Sequence, residues 1–351
     1  MNRNYFAVFL LILFILLGIV AGAYVRWSTS TVSAIQTRLF SSVSQTAMSG
    51  IPPFLKDRKA NADESATLLF AGDIMLSRAV GDVIQKTNDP TFPFLRIKEY
   101  LDSADLRFAN LEGPISDRGV NQGSIYSFRS DPQVVQGLMY AGFNVLSVAN
   151  NHIMDWGRDA LLDTLSILHE SNITTVGAGR TEAEANDPKI IEVKNNRIIF
   201  LGYTTLLPKS MNAKNMTPGL STFDLKKIAE TIRELKSFNQ ANIIVVSMHW
   251  GEEYAGSANT AQRNIAHALI DAGADLIIGH HPHVVEEVER YKEGWIAYSL
   301  GNFVFDQNFS DGTDETERAV MLKATAEANK ILNVELVPIR INADFQPELV
   351  H

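Results

Sequence analysis

The chain contains no cysteine. Disulfides and thiolate metal sites are thereby excluded, and any bound metal must be held by nitrogen and oxygen ligands. A cysteine-free chain tolerates an oxidising compartment without requiring one. Basic charge is also in short supply: 31 Lys and Arg stand against 40 Asp and Glu, a net charge of −9. With no basic surface to attract phosphate backbones, nucleic acid is not expected as a partner. No repeat with a period of about 20–50 residues recurs, so a repeat architecture is not indicated. What is present suits a folded protein. Of 351 residues, 46% are hydrophobic and 20% charged, enough apolar side chain for a real core in one large domain or two.

Charge is missing altogether from one local run. Tyr5 to Val25 reads YFAVFLLILFILLGIVAGAYV. At roughly 20 residues it is long enough to cross a bilayer core as a helix, and longer than buried core helices usually are. Arg3 precedes it and Arg26 follows, so the flanking charges orient it only weakly. Its length favours a retained transmembrane anchor over residues 1–26. Ala21-Gly22-Ala23 also fits a signal-peptide cleavage site, which would leave a secreted protein cut after Ala23. Either way the remainder is expected outside the cytoplasm, as a single-pass cell-membrane protein if the segment is kept. Residues 27–66 are rich in Ser, Thr, Ala and Lys around Pro52-Pro53 and read as a stalk, with one helical stretch near Val32–Phe40. The folded domain is expected over 67–351.

From Thr67 onward, apolar strand-like runs alternate with helical spacings. Thr67–Ala71, Ala104–Ala109, Phe143–Val148, Ile173–Val176, Asn242–Met248 and Asp275–Ile278 read as buried strands. Pro132–Ala141, with Asp131 as N-cap, Gly157–Glu170, Thr222–Lys236 and Thr260–Ala272 read as helices. Ile190–Val193 and Arg197–Tyr203 read as a hairpin around Asn195-Asn196. Val284–Arg290, Trp295–Ser299, Ala319–Thr325 and Ile331–Ile341 read as successive antiparallel strands. An α/β first half with a β-rich close is satisfied by two packed sheets with helices outside.

Six short segments carry metal-binding side chains just where a strand should meet a loop. They are Ala71-Gly72-Asp73, Asn110-Leu111-Glu112, Asn150-Asn151-His152, His249-Trp250-Gly251, Gly279-His280-His281-Pro282-His283 and Ser299-Leu300-Gly301-Asn302. Sites in α/β sheets form at the carboxyl ends of strands, so separate strands can deliver these groups to one edge. Singly, most have a plain structural reading. Asp73 fits a turn or N-cap, Glu112 a solvated loop acid, Asn150 and Asn151 a turn, and His249 a buried hydrogen bond. Three imidazoles within four residues, His280, His281 and His283, are harder to satisfy in a core and point to metal. Carboxylate, amide and imidazole ligands suit Mn, Fe, Zn or Mg, one ion or two, without choosing among them.

Together with Asp155, Gly157, Glu253-Tyr254, Phe303 and Phe305-Asp306, these segments resemble the CapA family of capsule-synthesis proteins linked to poly-γ-glutamate. That family's fold is similar to calcineurin-like metallophosphoesterases. The resemblance spans about Leu68 to Val337. It implies a four-layer α/β/β/α sandwich behind the N-terminal transmembrane helix. It also implies roles. Asp73, Glu112 and His283 would hold a first metal, and Glu112, Asn151, His249 and His281 a second. His152 would be the general acid, oriented by Asp155. Where the superfamily has a histidine two residues after its first aspartate, this chain has Met75, a poor ligand for a hard ion. His280 is then a candidate helper of the first metal. Arg129 is a candidate for pairing with a phosphate or a polymer carboxylate, beside the plain reading of a surface arginine. Glu253 and Asn302 are expected to support the ligands. The implied function is a metal-dependent hydrolase or transferase of capsule or poly-γ-glutamate assembly, acting on an anionic polymer or a phosphoester. The alternative is a non-catalytic accessory protein that orients an anionic polymer for membrane synthase proteins.

Overall fold

The run Thr67-Leu-Leu-Phe-Ala sends successive side chains to opposite sides of a strand, and both sides are buried. Leu68 and Phe70 face a second sheet, whereas Leu69 and Ala71 face helices. A strand apolar on both faces needs a layer on each side of it, and that need sets the architecture. The structure, a computed structural model, describes residues 65–238, 242–307 and 315–350. The expected anchor over 1–26 and nearly all of the expected stalk lie outside the described residues. Among those described, no helix is long and apolar enough to cross a membrane.

In chain order the elements are β1 (Ala66–Ile74), α1 (Arg78–Thr87), α2 (Lys98–Leu101), β2 (Leu106–Leu111), α3 (Val135–Ala141), β3 (Val145–Ser147), α4 (Gly157–Glu170) and β4 (Thr174–Val176). Next come β5 (Ala178–Gly179), α5 (Glu182–Asn186), β6 (Lys189–Val193), β7 (Asn196–Thr204), β8 (Gly219–Leu220), α6 (Leu225–Phe238), β9 (Asn242–His249), α7 (Thr260–Ala272) and β10 (Leu276–His280). The chain closes with β11 (Val288–Tyr291), β12 (Gly294–Ala297), β13 (Asn302–Val304), β14 (Arg318–Glu327), β15 (Lys330–Ile341) and β16 (Pro347–Leu349). One sheet runs β16-β15-β14-β1-β2-β3-β4, with β13 also paired to β1. The other runs β11-β12-β10-β9-β7-β6, and β5 pairs with β8 in a short ribbon.

Three cores follow from this order. Between the sheets, Leu68, Phe70 and Phe108 meet Phe200, Val245 and Ile278. The Phe108 ring stacks on Phe200 at 5.5 Å. On the outer face of the first sheet, Leu69 and Ala71 pack with Val80 and Ile84 of α1, Leu138 of α3 and Leu161 of α4. On the outer face of the second, Ile244 and Val246 pack with Ile232 of α6 and Leu269 of α7. The layers thus run helices, sheet, sheet, helices.

Local signals explain most boundaries. Asp131 accepts a hydrogen bond from the Gln133 amide at the start of the α3 segment. Asn259 and Gln262 form a reciprocal capping box at the start of α7, and Gly273 ends that helix in the left-handed conformation. The expected hairpin is present as β6–β7, antiparallel with Val193 opposite Asn196. The close of the chain differs from expectation. β12 lies parallel to β10 in the second sheet and is antiparallel only to β11, whereas β14, β15 and β16 extend the first sheet. Strand-like sequence does not specify which sheet a strand joins. Helix α1 has no counterpart among the expected elements. Its inward positions are only Val80 and Ile84, and Gly81 interrupts the helical signal.

Replacing Phe108 by Ala removes the ring that bridges the two sheets and should cost about 3–5 kcal/mol of stability. Denaturant unfolding checks this. A midpoint equal to wild type would mean that the sheets do not depend on that contact.

Candidate metal centre

Strands β1, β2 and β3 run parallel in one sheet, and β7, β9 and β10 run parallel in the other. Asp73 lies at the end of β1 and Glu112 just past β2. Asn150, Asn151 and His152 follow β3. His249 ends β9 and His280 ends β10. The carboxyl ends of both sheets meet, and five of the six segments converge there. The sixth arrives through β13, which pairs Asn302 with Asp73. Gly72 allows that approach: a Cβ on it would sit 2.0 Å from the Gly301 carbonyl oxygen.

Asp73 is fully buried. Its Oδ1 accepts a hydrogen bond from the Asn110 amide at 2.8 Å, and its Oδ2 accepts one from the His281 backbone N–H at 3.1 Å. Asn150 ties Asn110 in turn, donating to its side-chain oxygen at 3.1 Å and to the Leu111 carbonyl at 2.7 Å. His249 Nε2 lies 2.8 Å from Asn151 Oδ1. His283 Nδ1 lies 2.9 Å from Asn302 Oδ1, which fixes the ring from behind. His281 and His283 both have positive φ, 98° and 61°, a strained state for side chains other than glycine. The Tyr254 amide donates to the intervening Pro282 carbonyl at 2.8 Å and helps hold the loop in that shape.

Glu112 is the exception to this satisfaction. It is buried, yet neither carboxylate oxygen has a hydrogen-bond partner. His152 Nε2 and His283 Nε2 approach Oε1 only to 3.8 Å. His281 Nδ1 is likewise buried and unpartnered. Potential ligand atoms of Asp73, Glu112 and His249 lie within 4.8 Å of one another, and so do those of Glu253, His281 and His283. Orphaned carboxylate oxygens among neutral imidazoles fit a divalent cation, because a cation supplies what hydrogen bonding does not. Glu253, expected only in support, offers an oxygen within the same group as His281 and His283.

His152 stands beside this group. Its Nδ1 lies 2.7 Å from Asp155 Oδ2, its ring stacks on Phe128 at 4.0 Å, and the Phe128 amide donates to the same Asp155 oxygen. The ring borders a cavity of about 150 Å³ shared with Arg78, Tyr254, His283, Asp306 and Gln307. Asp155 thus sits where the family resemblance expects a partner for the His152 ring.

Not every candidate joins the cluster. His280 turns toward the inter-sheet core, with Nε2 3.3 Å from the Ala71 carbonyl and its ring near Phe108. Arg129 stands 3.5 Å over the Trp156 ring and donates to the Asp117 and Arg118 carbonyls. Met75 packs in the outer core, where its sulfur accepts hydrogen bonds from Ser77. Sequence reasoning named Asn110 and Asn150 within the segments without giving them a role in holding the carboxylates, and it passed over Arg78. Alternation along β2 puts Asn110 on the same side as Glu112, a signal that was readable. Arg78 had none, since its place in the cleft depends on α1.

Burial dominates the proton affinities. It raises Asp73 to about 7, against hydrogen bonds from His281 and Asn110. Glu112 is pushed well up by burial and then by the charges of Asp73, Glu253 and Asp155. Burial lowers His280 and His281 to about 4 and His283 to about 3, and lowers His249 well below its usual value. The consequences for stability oppose each other. Imidazoles with lowered values contribute stability that is present above the unfolded value of 6.5 and lost as pH falls toward 4. Carboxyls with raised values contribute stability that is present at low pH and lost as pH rises, for Asp73 between 3.8 and about 7. Above pH 6.5 the unfolded imidazoles are largely neutral and the raised carboxyls prevail, with Glu286, raised by burial to about 7, adding to Asp73 and Glu112. In chelator, stability should therefore fall from about pH 6.5 to 8, and a saturating divalent cation should lessen that fall. Denaturant unfolding at about pH 5, 6.5 and 8 tests this, and a steady rise to pH 8 in chelator would contradict it.

Residues 67–307 match the family described as bacterial capsule synthesis protein PGA_cap. The chain is 36% identical to the PGA biosynthesis protein CapA of Bacillus subtilis over 289 residues, covering 81% of this chain and 74% of that protein. It is 32% identical to the capsule biosynthesis protein CapA of Bacillus anthracis over 289 residues, covering 81% and 69%. Among solved structures, the NAD nucleotidase of Haemophilus influenzae aligns with a TM-score of 0.45 and 10% identity, over 82% of this chain and 54% of that one. The extent of the family match and the identity to these two relatives make the chain a member of the bacterial capsule synthesis protein family.

Proposed function

We propose that the chain is a metal-dependent hydrolase of metallophosphoesterase type that serves capsule or poly-γ-glutamate assembly. In this reading its site faces outside the cytoplasm, tethered by the apolar segment Tyr5–Val25. The observation that carries the catalytic part is Glu112: a buried carboxylate with both oxygens unpartnered, among Asp73, His249, His281 and His283. Those residues, with Asn151 and Glu253, would hold one or two divalent cations. A cation there supplies Lewis-acid polarisation of an ester oxygen. The chain's own groups do the rest. Asp73 and Asn110 keep the ends of β1 and β2 in register under the site. Asp155 holds Nδ1 of His152, which leaves Nε2 directed toward Glu112 and the cleft. From there Nε2 can give a proton to the departing oxygen of a phosphoester. Phe128, flat against the ring, limits its rotation and keeps water from one face.

The second reading, an accessory protein that orients an anionic polymer, uses the same cations without turnover. Its specific support is Met75, a thioether engaged with Ser77 in the core at the position where a further ligand would stand. His152→Ala separates the two. Assays of the full-length chain with a generic phosphodiester and with poly-γ-glutamate should show turnover that falls about 10²–10⁴-fold in the variant. Bound metal should be unchanged. Metal in the wild type without turnover of either substrate would sink the hydrolase reading and leave the accessory one.

A further inference from the structure

Arg78 occupies an unusual position. It is the first residue of α1, yet its φ is +52°, a conformation that costs non-glycine residues energy and is tolerated where something else fixes it. The strained backbone carries the guanidinium into the cleft beside His152. There it lies 2.9 Å from Asp306 Oδ1 and 5.3 Å from the Phe128 ring centroid. The ion pair is close in distance but not aligned as a hydrogen bond. Asp306 Oδ1 has no hydrogen-bond partner, so none of the guanidinium N–H groups is aligned on it. Asp306 Oδ2 is occupied instead by the Ala79 amide at 3.1 Å. Among the described residues, no N–H of the Arg78 side chain makes a hydrogen bond, and the side chain is 36% exposed. A planar fork of donors is therefore held at the mouth of the cavity, next to the candidate acid, with its directional bonding unspent.

We infer that Arg78 is the residue that recognises the anionic group of the substrate, holding an oxyanion against His152 with its guanidinium fork and exchanging the Asp306 contact for the ligand. This rests on the proposed site but not on turnover there. Three features support it. Among the described residues lining that cavity, Arg78 is the lysine- or arginine-type cation, and its charged neighbours are Glu253, Asp306 and imidazoles. Phe128 links Arg78 to His152, since the same ring lies under the guanidinium and against the imidazole. Asp306 is almost fully buried and anchored by Ala79, so it stays in place when the arginine turns toward a ligand. The ligand chemistry is a carboxylate or a phosphate, each of which accepts two parallel N–H bonds from the fork.

The test is calorimetric titration of the Mn²⁺-loaded full-length chain with inorganic phosphate and, separately, with a γ-linked glutamate oligomer. Bound metal and thermal unfolding serve as controls. Wild type should bind at least one of the two. Phosphate alone identifies a phosphoester group, and the oligomer alone identifies polymer carboxylates. Arg78→Ala should weaken that binding on the order of tenfold to a hundredfold with metal content intact. Arg78→Lys keeps the charge without the fork and should fall between. It also stands in if the alanine variant does not fold. Asp306→Asn keeps an acceptor for Ala79 while removing the competing charge, so its binding should equal or exceed wild type. The inference is overturned if wild type binds neither anion, or if Arg78→Ala binds like wild type. It is also overturned if Asp306→Asn loses binding as Arg78→Ala does, which would make the pair merely structural. Anion binding here, with no turnover of phosphodiester or poly-γ-glutamate in the separate assays, would refute the hydrolase reading and leave this one standing.

Discussion

Two carboxylates, Asp73 and Glu112, are buried side by side at the junction of two sheets, and most of the surrounding structure answers to that fact. Removing an ionised carboxylate from water costs several kcal/mol even after relaxation, and a second one nearby raises the cost. Asp73 is partly compensated by the Asn110 amide and the His281 backbone N–H. Glu112 receives no hydrogen bond at all. The neighbouring imidazoles are held neutral by burial, so they add no positive charge of their own. Lone pairs are plentiful in this pocket and protons to fill them are few. The arrangement fits a cation site and is poorly explained as a packed core.

Strand direction delivers these groups. Parallel strands place all their carboxyl ends on one edge, and two parallel-cored sheets packed face to face bring two such edges together. The polar relay from Asn150 through Asn110 to Asp73 then locks β3, β2 and β1 at the height of the site. Gly72 lets the Gly301-Asn302 turn come close enough for Asn302 to brace His283. The large inter-sheet core around Phe108 and Phe200 lies directly behind, which gives the ligand loops a rigid base.

How much of this was readable beforehand depends on the range of the interaction concerned. The strand ends, their metal-binding side chains and the His281-Pro282-His283 loop are local patterns, and they stand where periodicity puts them. The His152–Asp155 contact came within reach through the family resemblance. The misplacements of β12 and Arg129 are long-range. Whether β12 joins the first or second sheet is decided by packing against β10. Which arginine enters the cleft is decided by a positive-φ backbone at Arg78 and by a stacking partner, Trp156, that draws Arg129 away. His280 sits within the densest run of histidines, yet strand alternation turns it inward, toward Phe108. Glu253 comes within reach of His281 and His283 only because Gly251 and Tyr254 take left-handed conformations in the loop after β9.

The central claim is that Glu112 is a metal ligand and not a protonated core residue. The most direct measurement is the metal content of purified full-length protein, wild type against Glu112→Gln, which is nearly isosteric and keeps one oxygen. A ligand role predicts bound divalent metal in the wild type and its loss or a steep fall in affinity in a variant that still folds. Wild-type protein free of metal after exposure to Mn²⁺ and Zn²⁺, or a glutamine variant that retains the full complement, would contradict it.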